Sequence, residues 1–186
     1  MAVQLSKNSP GALLASSISP NNNKPKLQLV TGPRGSGKTL WCMDLVRRAH
    51  VRGLNLCGLI SPAIFLNDKK IGIGLKDLKT GEQHRLAYRK GDENGDIQTQ
   101  DWQMVAETME WGNSVLEQIE SCDLFVLDEI GPFELDHGIG LVAGLEIIDK
   151  AKDFPCVVVI RPSLIKKALA RWHWAEVLDV STEIAL

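Results

Sequence analysis

Eight consecutive residues, Gly32-Pro33-Arg34-Gly35-Ser36-Gly37-Lys38-Thr39, fit the pattern G-x-x-x-x-G-K-[ST]. A triphosphate tail carries several negative charges that water solvates well. A protein that binds it must replace that water with many inward-pointing backbone N–H groups. Glycines permit this because they lack a side chain and tolerate positive φ. In this pattern Lys38 reaches the β- and γ-phosphates and the Thr39 hydroxyl binds Mg²⁺. The whole loop, Gly32, Pro33, Arg34, Gly35, Ser36, Gly37, Lys38 and Thr39, is therefore the candidate nucleotide cradle. Pro33 and Arg34 stand where small residues are expected. Arg34 either folds back onto the phosphates or points to solvent.

A second stretch carries complementary chemistry. Leu124-Phe125-Val126-Leu127 is an apolar run that ends in Asp128-Glu129. Such a run reads as a buried parallel strand with its acids at the carboxyl end, where open α/β sheets bind ligands. Asp128 is the candidate Mg²⁺-shell carboxylate and Glu129 the candidate general base for an attacking water. A third buried run, Cys156 to Ile160, ends at Arg161. Arg161 either stabilises transition-state charge at the γ-phosphate or only balances Asp128 or Glu129.

The elements needed to hold these groups are legible around them. Leu27 to Thr31 is β-prone, and Leu40-Trp41-Cys42-Met43-Asp44-Leu45-Val46 opens a helix, so the glycine loop ends at a helix N-terminus that favours anions. That helix is expected to run to His50 or Arg52, with Gly53 just past its end. Residues 54–66, 71–75 and 83–88 read as strands separated by turns, an antiparallel insertion after the second parallel strand. It is either a platform over the site or an edge extension of the sheet. Residues 89–100 are polar and acidic and read as a mobile loop, possible as a lid. Trp102, Val105, Met109, Gly112, Leu116 and Ile119 recur at helical spacing, so a helix of about 19 residues is expected, with Asp101 as N-cap. Helices over 140–152 and 163–171 and a strand over 176–181 complete a βα alternation. Trp172-His173-Trp174 either packs the last strand or faces a partner.

Composition sets the outer limits. The 186 residues are 44% hydrophobic and 24% charged, ordinary for a globular domain. The net charge of −2 leaves no global basic footprint for nucleic acid. No apolar run approaches the length that spans a bilayer. The four cysteines, at 42, 57, 122 and 156, form no C-x-x-C pair. They read as buried thiols of a protein in a reducing cytoplasm. Residues 1–25 read as a disordered leader before a domain over 26–186.

The phosphate loop, the Gly58-Leu59-Ile60 strand with its hairpin, and Asp128-Glu129-Ile130-Gly131-Pro132-Phe133-Glu134-Leu135 together resemble the THEP1-type nucleoside-triphosphatase family, over about residues 27–182. The resemblance implies a RecA-like P-loop α/β fold with parallel strand order 5-1-4-3-2. It also implies Mg²⁺-dependent hydrolysis of nucleoside triphosphates (ATP, GTP or others) with broad nucleotide preference. Lys38 and Thr39 then take the phosphate and metal roles, Asp128 the metal role and Glu129 the catalytic carboxylate. Glu134 falls on the family's second acid, unless it only makes a local contact. Two other classes remain on sequence alone. A small-molecule kinase would have strand order 2-3-1-4-5, and a nucleotide-gated adaptor would hydrolyse slowly and bind a second molecule.

Overall fold

The computed structural model describes residues 9–10, 27–91, 95–150 and 154–183. The expected leader, apart from residues 9 and 10, lies outside them, as do Asp92 and Glu93 of the 89–100 segment.

Among the described residues ten strands form one sheet: β1 (Leu27–Thr31), β2 (Leu56–Ile60), β3 (Ala63–Leu66), β4 (Lys69–Asp77), β5 (Gln83–Arg89), β6 (Ile97–Gln98), β7 (Trp102–Met104), β8 (Leu124–Ile130), β9 (Cys156–Ile160) and β10 (Glu176–Asp179). The order is β10-β1-β9-β8-β2-β4-β5-β7-β6, with β3 paired to β4. The first five neighbours, β10 to β2, are parallel. Numbered among themselves they run 5-1-4-3-2. The full sheet departs from a five-strand expectation because β4 pairs antiparallel with β2 and carries the sheet onward. The insertion is thus an edge extension. β9 lies between β1 and β8, which is not the kinase order.

Side chains alternate along each buried strand, so the apolar runs feed both faces. Leu124 and Val126 join Val30, Val157 and Val159 under helix α1 (Lys38–Val51), with Trp41, Cys42 and Leu45. Phe125 and Leu127 join Leu29, Leu59 and Val158 on the opposite face. That face is covered by α2 (Ala106–Glu117), α3 (Val142–Lys150) and α4 (Ile165–Arg171). Trp172 is fully buried there, and its indole Nε1 donates to Asp149 at 2.8 Å. Trp174 is 42% exposed. The two tryptophans of that segment therefore do different things.

Several boundaries move. α1 ends at Val51, within the expected range, and Gly53 follows at φ 72°. α2 spans 12 residues rather than about 19. Trp102 to Met104 pairs with β5, Met104 opposite Ala87, so sheet hydrogen bonding overrides the helical spacing there. Val105 is the extended N-cap of α2, and Asp101 binds Arg34 instead of capping. α3 starts at Val142 because Gly140 has φ 90°. The segment after β9 opens as a 3-10 turn, Pro162–Leu164, before α4. β10 stops at Asp179, whose carboxylate accepts from Ser181 N at 2.9 Å and turns the chain. The polar 89–100 stretch contains a strand, β6, hydrogen-bonded to β7.

Two of the four cysteines depart from the thiol expectation: Cys57 and Cys122 form a disulfide, with Cα atoms 6.0 Å apart. Cys57 lies on β2, and Cys122 just precedes β8, which pairs with β2, so neighbouring strands bring them together. Cys42 and Cys156 are buried thiols.

Gly58 fits only as glycine. Its φ is 105°, and a Cβ there would lie 2.0 Å from the Val126 carbonyl oxygen of the neighbouring strand. Gly58→Ala must push β2 from β8 at the centre of the sheet. Urea unfolding is expected to show a loss of about 3–5 kcal/mol. A midpoint equal to wild type would mean that β2 shifts without cost.

Candidate active site

The phosphate loop lies where β1 ends and α1 begins. Gly35 and Gly37 have φ of 81° and 84°, conformations that aim successive amides to one side. Gly37 is the N-cap of α1, and no side chain caps its first turn. Those amides and the helix dipole together suit an anion. The Lys38 ammonium donates to the carbonyls of Gly32 and Pro33, at 2.8 and 2.9 Å, so it lies across the loop. Arg34 points away from the loop centre: its Nη1 donates to Asp101 at 2.6 Å.

Asp128 and Glu129 end up in opposite surroundings. Asp128 is 1% exposed. Its Oδ1 lies 3.4 Å from the Thr39 hydroxyl and its Oδ2 accepts from Ser61 N at 3.3 Å. Burial pushes its carboxyl up to about 6, with the Ser61 and Thr39 hydrogen bonds opposing. Its side chain meets no cation as an ion-pair partner among the described residues. Glu129 is more open, with 36% of its side chain exposed, and its Oε1 accepts from Arg161 Nε. The Asp128–Glu129 peptide is cis. Asp179 also has its carboxyl held low, by hydrogen bonds from Ser181.

Arg161 follows β9, between β1 and β8, so all the candidate residues meet at one end of the parallel sheet. That end is the carboxyl side of β1, β8 and β9, as the topology rule for open sheets demands. Glu134 is close by but is occupied. Its carboxylate accepts from the amides of Gly131 and Leu141, at 2.8 and 3.1 Å. A Cβ on Gly140 would lie 2.1 Å from Glu134 Oε1, so that glycine leaves the room the carboxylate uses. Burial raises the Glu134 carboxyl, opposed by these amides. Its contacts clasp both ends of the loop that leaves β8, through the π-helical turn Phe133–His137.

Two neighbours were not foreseen. Ser61 follows β2 and donates Oγ to the Asp128 carbonyl at 2.5 Å as well as its amide to the carboxylate. Its place just beyond the end of a strand paired with β8 was the available signal. Lys70 on β4 carries no such signal, because nothing local says where a hairpin will fold.

The NTPase family model matches residues 28–183. The nucleoside-triphosphatase THEP1 of Ignicoccus hospitalis is 28% identical over 146 residues, covering 77% of this chain and 82% of that one. That of Caldivirga maquilingensis is 30% identical over 108 residues, covering 58% of this chain and 60% of its own length. The crystal structure of THEP1 from Aquifex aeolicus superposes with a TM-score of 0.62 at 16% identity, covering 86% of this chain and 92% of that one. The solution structure of a human cancer-related nucleoside triphosphatase gives 0.61 at 18%, covering 84% and 88%. These two likenesses establish a shared fold. With the family model spanning all the parallel strands and both the Lys38 and the Asp128 segments, the chain belongs to the THEP1-type NTPase family and is an NTPase.

Proposed function

We propose that this protein hydrolyses nucleoside triphosphates to diphosphate and phosphate with Mg²⁺, with little preference among bases, by in-line attack of water on the γ-phosphorus. The observation that supports it best is the convergence of Lys38, Thr39, Asp128, Glu129 and Arg161 at one end of the sheet. Water would lose a proton to Glu129 as its oxygen bonds to phosphorus. The bond from γ-phosphorus to the bridging oxygen would break, and the electron pair would leave on the diphosphate. Loop amides and Lys38 would meet the charge on the phosphates. Arg161, which pairs with Glu129, would orient that carboxylate and face the γ-phosphate.

The residues fit a hard divalent cation. Thr39 and Asp128 offer oxygen donors 3.4 Å apart, and Asp128 is a buried carboxylate short of positive charge. Among the described residues no cluster of three metal-ligating side chains exists, which suits an ion held by few protein oxygens plus phosphate and water. When bound, Mg²⁺ would neutralise charge on the β- and γ-phosphate oxygens. No helix among the described residues is long and apolar enough to cross a membrane. A cytoplasmic site of action is part of this proposal.

Phosphate release from ATP, GTP, CTP and UTP, with Mg²⁺ and with chelator, tests the reading. Turnover of several nucleotides without any acceptor is expected. Lys38→Ala should weaken ATP binding by about tenfold or more, since it removes a charge-assisted contact. Strong binding by wild type with no phosphate released, and no acceptor needed for binding, would sink the hydrolase reading.

A further inference from the structure

Lys70 neighbours the site but has no role in the reaction described so far. It stands near the start of β4, just after the Asn67-Asp68 turn that reverses β3 into β4. Its ammonium lies 4.9 Å from the centroid of the Trp102 ring, a cation–π contact between β4 and β7. The residue before Trp102, Asp101, grips Arg34 of the phosphate loop at 2.6 Å. Two excursions of the antiparallel extension, the 67–70 turn and the 99–102 turn, therefore reach the nucleotide end of the sheet together. Burial holds the Lys70 ammonium below the ordinary lysine range, and it feels the charges of Arg34 on the phosphate loop and of Glu129 and Asp128 on β8. Among the described residues no carboxylate lies within ion-pair distance of it. A half-buried cation, steadied by the Trp102 face and carried to the phosphate loop by the Asp101–Arg34 pair, has an obvious class of partner: a terminal phosphate.

The geometry points to Lys70 as a catalytic cation that contacts the γ-phosphate of bound nucleoside triphosphate, with Trp102 positioning it. The inference rests on the hydrolase reading above. It assigns the antiparallel extension a chemical role, since the extension then supplies a third cation beside Lys38 and Arg161. A γ-phosphate contact gives affinity for triphosphate that diphosphate cannot show, and a contact that tightens as charge develops raises kcat.

The test compares wild type with Lys70→Met, which keeps the stem without the charge, and with Lys70→Arg. Binding of ADP and of a non-hydrolysable ATP analogue is measured with Mg²⁺ beside ATP turnover. Lys70→Met should bind the analogue about five- to tenfold more weakly with ADP affinity unchanged, and its kcat should fall about 10- to 50-fold. Lys70→Arg should recover most of both. Equal losses for ADP and analogue would mark a merely structural role, and no loss for either would remove Lys70 from the site. Both outcomes overturn the inference whether or not wild type turns over. Failure of wild type to release phosphate would speak against the hydrolase reading alone.

Discussion

Glu129→Gln is expected to bind Mg²⁺ and ATP with close to wild-type affinity and to release phosphate about a thousandfold more slowly, within the usual range for losing a general base. The amide keeps the size of the carboxylate, and its oxygen can still accept from Arg161. Only the capacity to take a proton is removed. Glu129 has the exposure a base needs, with 36% of its side chain open, whereas Asp128 beside it is 1% exposed. Single-turnover phosphate release, read beside equilibrium nucleotide binding, separates the two steps. Hydrolysis within tenfold of wild type would place the base elsewhere. Loss of binding together with hydrolysis would mean that Glu129 supports the fold of the site instead.

The division of labour between those two acids illustrates what a linear pattern carries. An apolar run followed by Asp-Glu locates both residues at the carboxyl end of a buried strand, because strand burial on both faces leaves that pattern in the sequence. The parallel core was legible for the same reason: Leu27 to Thr31 is rich in apolar residues, and Leu124 to Leu127 and Cys156 to Ile160 are continuous apolar runs. The glycine loop was legible because its chemistry demands residue types at fixed offsets. Contacts between distant segments leave no such trace. The Arg34–Asp101 pair joins residues 67 apart in the chain, and Asp101 reads locally as a helix cap. The Trp102 to Met109 spacing reads as helix until strand β5 claims its first part. Arg161 could be placed near Glu129 only through the strand order, and whether it faced a carboxylate or a phosphate lay beyond any spacing rule. The Cys57–Cys122 bridge had no sequence signature either, since the pairing of β2 with β8 creates it. Glu134 is the instructive middle case. Its motif marks it as functional, but its amide partners at Gly131 and Leu141 show a carboxylate that holds a loop in place.

Asp128→Asn should split stability from activity. The Asp128 carboxyl stands at about 6 against an ordinary value of 3.8, so the folded protein holds this proton more tightly than the unfolded chain does. Its contribution to stability is therefore whole below about pH 4 and is lost as pH rises through about 6. The loss amounts to roughly 3 kcal/mol once the carboxylate is fully ionised. Asparagine never ionises, but it gives up one of the two acceptor positions that Ser61 and Thr39 now use, at about 1 kcal/mol. Without nucleotide or metal, the variant should be the more stable protein at pH 8, by about 1–2 kcal/mol, or about 2–8 °C in Tm. At pH 5 the advantage should shrink to about half a kcal/mol, since the folded carboxyl is then mostly protonated while that of the unfolded chain is still ionised, and it should vanish as pH falls toward 4. Turnover should fall about a thousandfold or more, because the neutral amide is a poor ligand for a divalent cation. Thermal unfolding of both proteins across pH 5–8, with and without Mg²⁺ and nucleotide, reads the two effects separately. Mg²⁺ with nucleotide should raise the Tm of wild type at pH 8 and do so far less for the variant. A variant less stable than wild type at pH 8 would show that hydrogen bonding outweighs the buried charge. In that case Asp128 would be a structural acid first, and the metal-binding role would need another carboxylate.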